Sequence, residues 1–296
     1  MRLALKSFAA LVITGAVVFW WITRPITSDE SVLAGLQPNL AQGALVFHAG
    51  GCASCHAAQG AEDDARLVMA GGRAFPSEFG TFYAPNISPD PDHGIGGWSA
   101  INLYNAMHHG VSPEGRHYFP AFPYTSYVRA TPGDIVSLYA FVMTLPATKT
   151  ASKPHDVGFP FSIRRNLGGW KWLFHDPEWV LDGDLSEEEL RGRYLAEALG
   201  HCGECHTPRN ALGGPDRARW MAGAPNPTGT GNVPNITPAK FDWSVSDTVE
   251  YFTSGFTPEY DTAGGHMADV IENLAQLPVE DRRAIAMYLK RILPVE

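Results

Sequence analysis

The chain has 296 residues, with 22 Lys and Arg against 31 Asp and Glu, a formal net charge of −9 and a hydrophobic fraction of 45%. This length suits two domains, and the hydrophobic fraction is ordinary for a globular protein. The net negative charge argues against a nucleic acid as partner.

The chain begins with an apolar segment. Arg2 and Lys6 precede residues 7–23, which are 17 uncharged and mostly apolar residues. This is the lower end of the length that spans a membrane. The Trp20-Trp21 pair stands at the far end, where aromatic side chains favour the interface, and no clear small-x-small cleavage site follows. We therefore predict a retained anchor with its basic end in the cytoplasm, and a cleaved signal peptide is the alternative.

Two Cys-x-x-Cys-His motifs follow, at residues 52–56 and 202–206, and they use all four cysteines. This pattern is typical of covalent c-type haem attachment. The two thiols can each bond one vinyl group, and the His that follows reaches the iron from the proximal side. The residues predicted to hold two covalently bound haem c groups are Cys52, Cys55, His56, Cys202, Cys205 and His206.

Other uses of these cysteines fit the pattern less well. A zinc site needs about four ligands, and no closely spaced pair of histidines follows either motif. A thioredoxin-like redox pair belongs to a βαβ setting, whereas the flanks of both motifs have the pattern of helices. A disulfide closed within four residues would be strained.

An internal repeat relates the two motif regions. Trp98 and Gly110 recur as Trp243 and Gly255 at an offset of 145 residues, and a Pro-Asn-Ile segment at 85–87 recurs at an offset of 149. The repeat predicts two copies of one haem module. Its expected helices are residues 39–49, 99–109, 132–145, 186–200, 244–254 and 279–292.

No strand-rich stretch is evident, so the predicted fold class is mainly α. We divide the chain into an anchor at 1–27, a first haem domain at 35–150, a connector at 151–184 and a second haem domain at 185–296. The connector is rich in Trp and Phe, unlike a flexible Gly/Ser linker. These aromatic residues are expected to pack across both modules, either as a bridge near the haems or as an ordinary interdomain core.

Four segments carry a resemblance to a known family: YAPNISPDPDHGIGGWS, HHGVSPEGRHYFPAFPYTSY, GHCGECHTPRNALGG and HMADVIENLAQLP. They resemble multihaem cytochrome c subunits of bacterial periplasmic alcohol, gluconate and aldehyde dehydrogenases, and those that serve molybdenum hydroxylases. The resemblance implies two tandem class I cytochrome c domains after the N-terminal transmembrane helix. Many members carry three haems and a YPAMPY sequence, whereas this chain has two motifs and FPAFPY at 119–124.

The sixth iron ligand decides what each haem does, since a Met raises the potential and an open position permits ligand chemistry. Met267 stands where a small cytochrome c places its axial thioether, and we prefer it to Met221 and His266 for haem 2. The repeat places Phe122 at the corresponding position of the first module, and a phenyl ring does not bind iron. For haem 1 we favour His117; the open alternatives are His108, His109, Met107 and an unligated site.

We therefore predict a membrane-anchored dihaem cytochrome c in the inner membrane with its haem domains in the periplasm. By the resemblance, it would carry electrons from a periplasmic dehydrogenase or other redox donor to a downstream cytochrome or terminal oxidase. The main alternative is a haem enzyme, either a peroxidase or a sulfur-compound dehydrogenase, that uses an open or unusual iron at haem 1. A haem-based gas sensor ranks last because no signalling domain is evident.

Overall fold

A computed structural model of the protein describes residues 1–226 and 231–296, and the described part is mainly helical. The helices are α1 Arg2–Ile22, α2 Leu40–Ala49, α3 Cys52–His56, α4 Ala100–His109, α5 Tyr124–Tyr127, α6 Pro132–Val142, α7 Asn166–Phe174, α8 Glu187–Arg193, α9 Gly203–His206, α10 Val245–Ser254, α11 His266–Leu274 and α12 Val279–Leu289. The strands are β1 Ala74–Ser77, β2 Gly80–Tyr83, β3 Asp156–Val157, β4 Ala224–Pro225 and β5 Asn232–Val233. A π-helical turn, Tyr194–Leu199, continues α8.

The six helices expected from the sequence are present, with ends that differ by a few residues. Helix α8 begins with a capping box at Ser186 and Glu189, in which each side chain bonds to the backbone of the other residue. Helices α7 and α11 and the short strands were not anticipated. The strands form a three-stranded antiparallel sheet in the order β1-β2-β3 and a β4-β5 pair.

The first half of the chain, residues 35–150, and the second half, residues 185–296, each have a tightly packed pair formed by their first and last long helices. Helix α2 packs on α6, and α8 packs on α12. Gly43 in α2 faces the backbone of Ser137, and Gly192 in α8 faces the backbone of Ala284. A Cβ at either glycine would collide with that backbone, so both helix pairs depend on the absence of a side chain there.

The structure repeats the register seen in the sequence. Isolated antiparallel bridges join Val111 to His117 and Phe256 to Thr262, which are pairs 145 residues apart. Helices α4 and α10, which precede these bridges, both begin with a capping box at Ser99 and Ser244. The halves therefore share the same local arrangement around their middle helices.

The connector touches both halves through polar bonds. Arg129 and Arg217, one from each half, donate to the carbonyl oxygen of Glu178 at 2.8 and 2.9 Å. Strand β3 of the connector pairs with β2, with Gly80 opposite Val157. The expectation that the connector aromatics pack across both modules is wrong for Phe159, Phe161 and Trp172, which are 82%, 50% and 72% exposed.

Candidate functional site

The first motif occupies one short helix, α3. Gly51 precedes it with φ of 57°, and the helix places Cys52 and Cys55 three positions apart, about one turn. The Nδ1 atom of His56 lies 2.8 Å from the carbonyl oxygen of Pro85. Because a carbonyl only accepts, Nδ1 carries the hydrogen and Nε2 is left with the lone pair that binds a metal.

The second motif has the same arrangement. Cys202 is the N-cap of α9, and His206 ends the helix. Nδ1 of His206 lies 2.8 Å from the carbonyl oxygen of Pro234, the repeat counterpart of Pro85. Gly71 and Gly223 donate their backbone N–H groups to the carbonyl oxygens of the two motif histidines, both at 2.7 Å. The repeated Pro-Asn segment therefore orients each His ring.

The donor groups fit two covalently attached haems. Burial lowers the pKa of His56 and His206, which keeps each imidazole in the neutral form that ligates iron. Burial also raises the pKa of the Cys52 and Cys202 thiols to about 12. None of the four cysteines is in a disulfide, so each motif offers two thiols and one metal-binding nitrogen.

Met267 lies in the first turn of α11 and packs, partly buried, against the hydrophobic core. Met221 has a different setting, because it is fully buried. Met69 occupies the matching position in the first half. Ile87 N–H donates to Met69 O, just as Ile236 N–H donates to Met221 O. The choice of Met267 over Met221 as an iron ligand stays a prediction.

His117 is buried, and both of its ring nitrogens have protein partners. Nε2 is 2.9 Å from the carbonyl oxygen of Thr23, so it is the donor. Nδ1 is 3.1 Å from Nζ of Lys171, so it accepts. Iron ligation by His117 would require one of these bonds to be given up. The ligand assignment stays a prediction, with a structural role at the end of α1 as its competitor.

The other candidates for haem 1 lie at the end of α4. His108 stacks on Tyr104 at a centroid distance of 4.8 Å, and His109 Nε2 is 2.8 Å from Ser28 Oγ. Burial lowers the pKa of His109 to about 4, so it is neutral near pH 7. Met107 is buried in the hydrophobic core.

The two motifs lie against each other. His201, next to the second motif, has Nε2 3.3 Å from the carbonyl oxygen of Gly50, next to the first motif. Tyr127 OH donates to the same oxygen at 3.3 Å, and its ring meets that of His201 edge to face at 5.7 Å. The regions that carry the thiols of both sites therefore share one interface.

The third residue of each motif bonds to the opposite half of the protein. Glu204 accepts a hydrogen bond from Thr125 Oγ1 at 2.7 Å, and Thr125 lies in α5 of the first half. In return, Ser54 accepts from Asn273 Nδ2 at 2.8 Å and donates to Asp269 O at 3.2 Å, both residues of α11. When the 145-residue offset of the repeat is applied to α5, the corresponding residues lie within α11. We call these paired bonds the reciprocal contact.

Ion pairs reinforce this interface on one side. Arg73 Nη1 is 2.7 Å from Asp269 Oδ2, and Arg66 pairs with Glu272, so both link the first half to α11. Sequence reasoning missed these residues together with Ser54 and Glu204. The variable positions of a Cys-x-x-Cys-His motif carry no signal of their own, and the sequence shows the 145-residue offset only at other positions, such as Trp98 and Trp243.

Comparisons with known proteins identify relatives of this chain. A family model described as "Cytochrome c" matches residues 40–146. A protein named "Diheme cytochrome c-type" from Cereibacter sphaeroides is 57% identical over 296 residues, which is all of both chains. The fructose dehydrogenase cytochrome subunit of Gluconobacter japonicus is 38% identical over 277 residues, 91% of this chain and 56% of that protein.

A third relative, one of the chains of a nicotinate dehydrogenase from Pseudomonas putida, is 37% identical over 264 residues. That match covers 86% of this chain but only 21% of the relative. The chain thus spans about half, or less, of these two dehydrogenase relatives, whereas it matches the Cereibacter protein from end to end.

Proposed function

The chain belongs to the dihaem c-type cytochromes, and we propose that it passes electrons between its two halves across the interface that joins the Cys-x-x-Cys-His motifs. The 57% identity over the full length of a dihaem relative assigns it two covalently bound haem c groups and the role of an electron carrier, not a substrate-converting enzyme. Each haem supplies an iron centre that gains and loses one electron.

The reciprocal contact is the observation that carries this proposal. Glu204 and Ser54 each stand between the two cysteines of a motif, and each is bonded to the opposite half. Fixing both motifs in one interface sets their separation. A fixed separation supports transfer within the molecule because no domain movement has to precede each electron.

For the iron ligands we propose His56 and His206 on the proximal sides and Met267 as the sixth ligand of haem 2. The repeat of the Pro carbonyl bond at both histidines supports the first two assignments. The place of Met267 at the start of α11, the helix of the reciprocal contact, supports the third. For haem 1, His117 stays the predicted ligand. Because its ring is already bonded to Thr23 and Lys171, this assignment is the first to be tested by substitution.

We further propose that α1 holds the protein in the cytoplasmic membrane, with the haem-binding halves in the periplasm as two tandem cytochrome c domains. Helix α1 is 21 residues long and mostly apolar, and none of its residues is buried. The names of the fructose, gluconate and alcohol dehydrogenase cytochrome subunits among the relatives support a dehydrogenase as electron donor. A downstream cytochrome or terminal oxidase would be the acceptor.

The proposal is tested by pulsed photoreduction of the purified holoprotein. Reduction should appear first at one haem and then redistribute at a rate that does not depend on protein concentration. A redistribution rate proportional to concentration would mean transfer between molecules and would overturn the proposal. Variants that lose one motif, such as Cys202→Ala with Cys205→Ala, serve as the single-haem control and should show no second phase.

A further inference from the structure

Helix α7 of the connector packs on the end of the membrane helix. Gly168 lies against the backbone of Thr23 so closely that a Cβ there would collide with it. Arg165 Nε donates to Thr23 Oγ1 at 2.8 Å, and its guanidinium lies 3.9 Å from the centre of the Trp20 ring. Helix α7 and its N-cap thus attach the connector to the last turn of α1.

The last turn of α7 combines an inward-pointing cation with exposed apolar side chains. Lys171, one turn after Gly168, points inward and donates to the carbonyl oxygens of His109 and Gly110, both at 2.6 Å. Trp172, four positions after Gly168 and on the same side of α7, is 72% exposed, and Leu173 beside it is 54% exposed. Helix α7 therefore exposes large apolar side chains next to the end of α1, unlike an ordinary surface helix.

Apolar side chains of neighbouring segments add to this exposed apolar surface. The Phe161 ring lies 5.1 Å from that of Phe79, which also contacts Gly213, and Trp170 Nε1 donates to Leu212 O at 2.9 Å. We call the patch the outward face; its exposed residues are Phe159, Phe161, Ile163, Trp172, Leu173 and Leu212. Contiguous apolar patches on a protein surface mark sites that bind another surface or a membrane.

The length of α1 indicates where α7 and the outward face lie relative to the bilayer. At about 1.5 Å per residue the 21 residues of α1 extend over about 31 Å, close to the thickness of about 30 Å for a hydrocarbon core. Thr23 then lies at the boundary of that core. Since α7 touches Thr23, it lies within the headgroup layer, which extends about 5–7 Å beyond the core.

We propose that the outward face is a second membrane-contact surface, embedded in the phospholipid headgroup region beside the end of α1. This inference rests on the proposed anchoring of the protein by α1. Trp, Phe and Leu side chains are the residues that lie in this region in interfacial helices. The contact would hold the first haem module in one orientation on the bilayer, because α1 alone leaves rotation about its own axis free.

Spin labels on single engineered cysteines test the depth of the outward face. In the holoprotein all four native cysteines are bonded to haem, so a new cysteine is the accessible thiol. The holoprotein would be placed in phosphatidylcholine and phosphatidylglycerol nanodiscs with Leu173→Cys or Trp172→Cys. Val12→Cys in α1 is the anchor control, and Leu293→Cys, at a position 73% exposed near the C-terminus, is the aqueous control. Retention of both haem absorbances shows that each variant is folded.

We expect labels at 172 and 173 to be several-fold less accessible to a water-soluble nickel chelate than the label at 293, and more accessible to oxygen. Access at 172 and 173 equal to that at 293, with the label at 12 shielded, would overturn the second contact and leave the anchor standing. A label at 12 that is open to nickel would overturn the anchor and this inference together. Shielding that requires an added protein partner would overturn the lipid assignment in favour of that partner.

Discussion

Thr125 Oγ1 donates a 2.7 Å hydrogen bond to Glu204, a residue inside the second Cys-x-x-Cys-His motif, and so ties α5 of the first half to the haem site of the second. Arg209 pairs with the same carboxylate. Glu204 Oε1 also accepts from Ser126 Oγ at 3.3 Å. One carboxylate therefore joins the two halves at the point where their cofactor sites meet.

We predict that Glu204→Ala destabilises the protein by about 1–3 kcal/mol, because Thr125 loses its acceptor and Arg209 its partner. Interhaem redistribution after photoreduction should also become slower or heterogeneous. Urea unfolding followed by fluorescence measures the first effect and pulsed photoreduction the second. The control is Glu259→Ala, an exposed carboxylate in the second half. Equal effects of both variants would contradict the role given to Glu204.

The two motifs should each account for one haem. Cys52→Ala with Cys55→Ala removes both thioether bonds of the first site, so the chain should keep one covalent haem instead of two. The matching pair at Cys202 and Cys205 should do the same for the second site. A pyridine haemochrome assay of the denatured, acetone-extracted protein counts the haems. Two haems retained in either double variant would contradict the assignment of that motif.

Replacing the proposed sixth ligand of haem 2 should change one haem only. Met267→Ala removes the thioether, which raises potentials, so the higher of the two potentials should fall and the reduced iron should bind carbon monoxide. Redox titration and carbon monoxide difference spectra measure both. Met221→Ala is the matched control, and loss of its buried side chain should affect stability and leave both potentials in place. Loss of the higher potential in Met221→Ala instead would reassign the ligand.

His117→Ala distinguishes its two possible roles. If His117 binds the iron of haem 1, the variant changes the spectrum and the lower potential. If it acts through Thr23 and Lys171, both spectra and both potentials stay the same while the end of α1 loses a buried bond worth about 1 kcal/mol. Redox titration together with thermal unfolding separates the outcomes. In the second case His108, His109 or an open site becomes the better account of haem 1.

Acid should destabilise the folded protein through buried histidines. Burial, and then the charge of Lys171, lowers the pKa of His175 to about 4, with His108 and His109 also nearby. The unfolded His175 takes up a proton below about pH 6.5, while the folded one resists until about pH 4, so stability falls as the pH drops between these values. Urea unfolding at several pH values should show a shallower fall for His175→Gln. An unchanged slope would contradict this account.

Much of the haem chemistry is readable from local sequence. A Cys-x-x-Cys-His segment brings two thiols and one imidazole together within five residues, so no distant part of the chain is needed to recognise it. The 145-residue offset likewise predicted matching helices, and α4 and α10 confirm it with the same capping boxes. The apolar run before Thr23 is equally local, because the length of a helix in a membrane depends on its own residues.

The tertiary structure alone decided how these local parts meet. The bonds of Ser54 to α11 and of Glu204 to α5 join residues far apart in the chain, and polar residues at variable motif positions give no sign of such partners. The same holds for His117, whose ring contacts Thr23 and Lys171. Trp172 could equally have been core or surface by its sequence. Only the fold shows that Trp172, four positions after Gly168 and on the same side of α7, stays 72% exposed next to the end of α1.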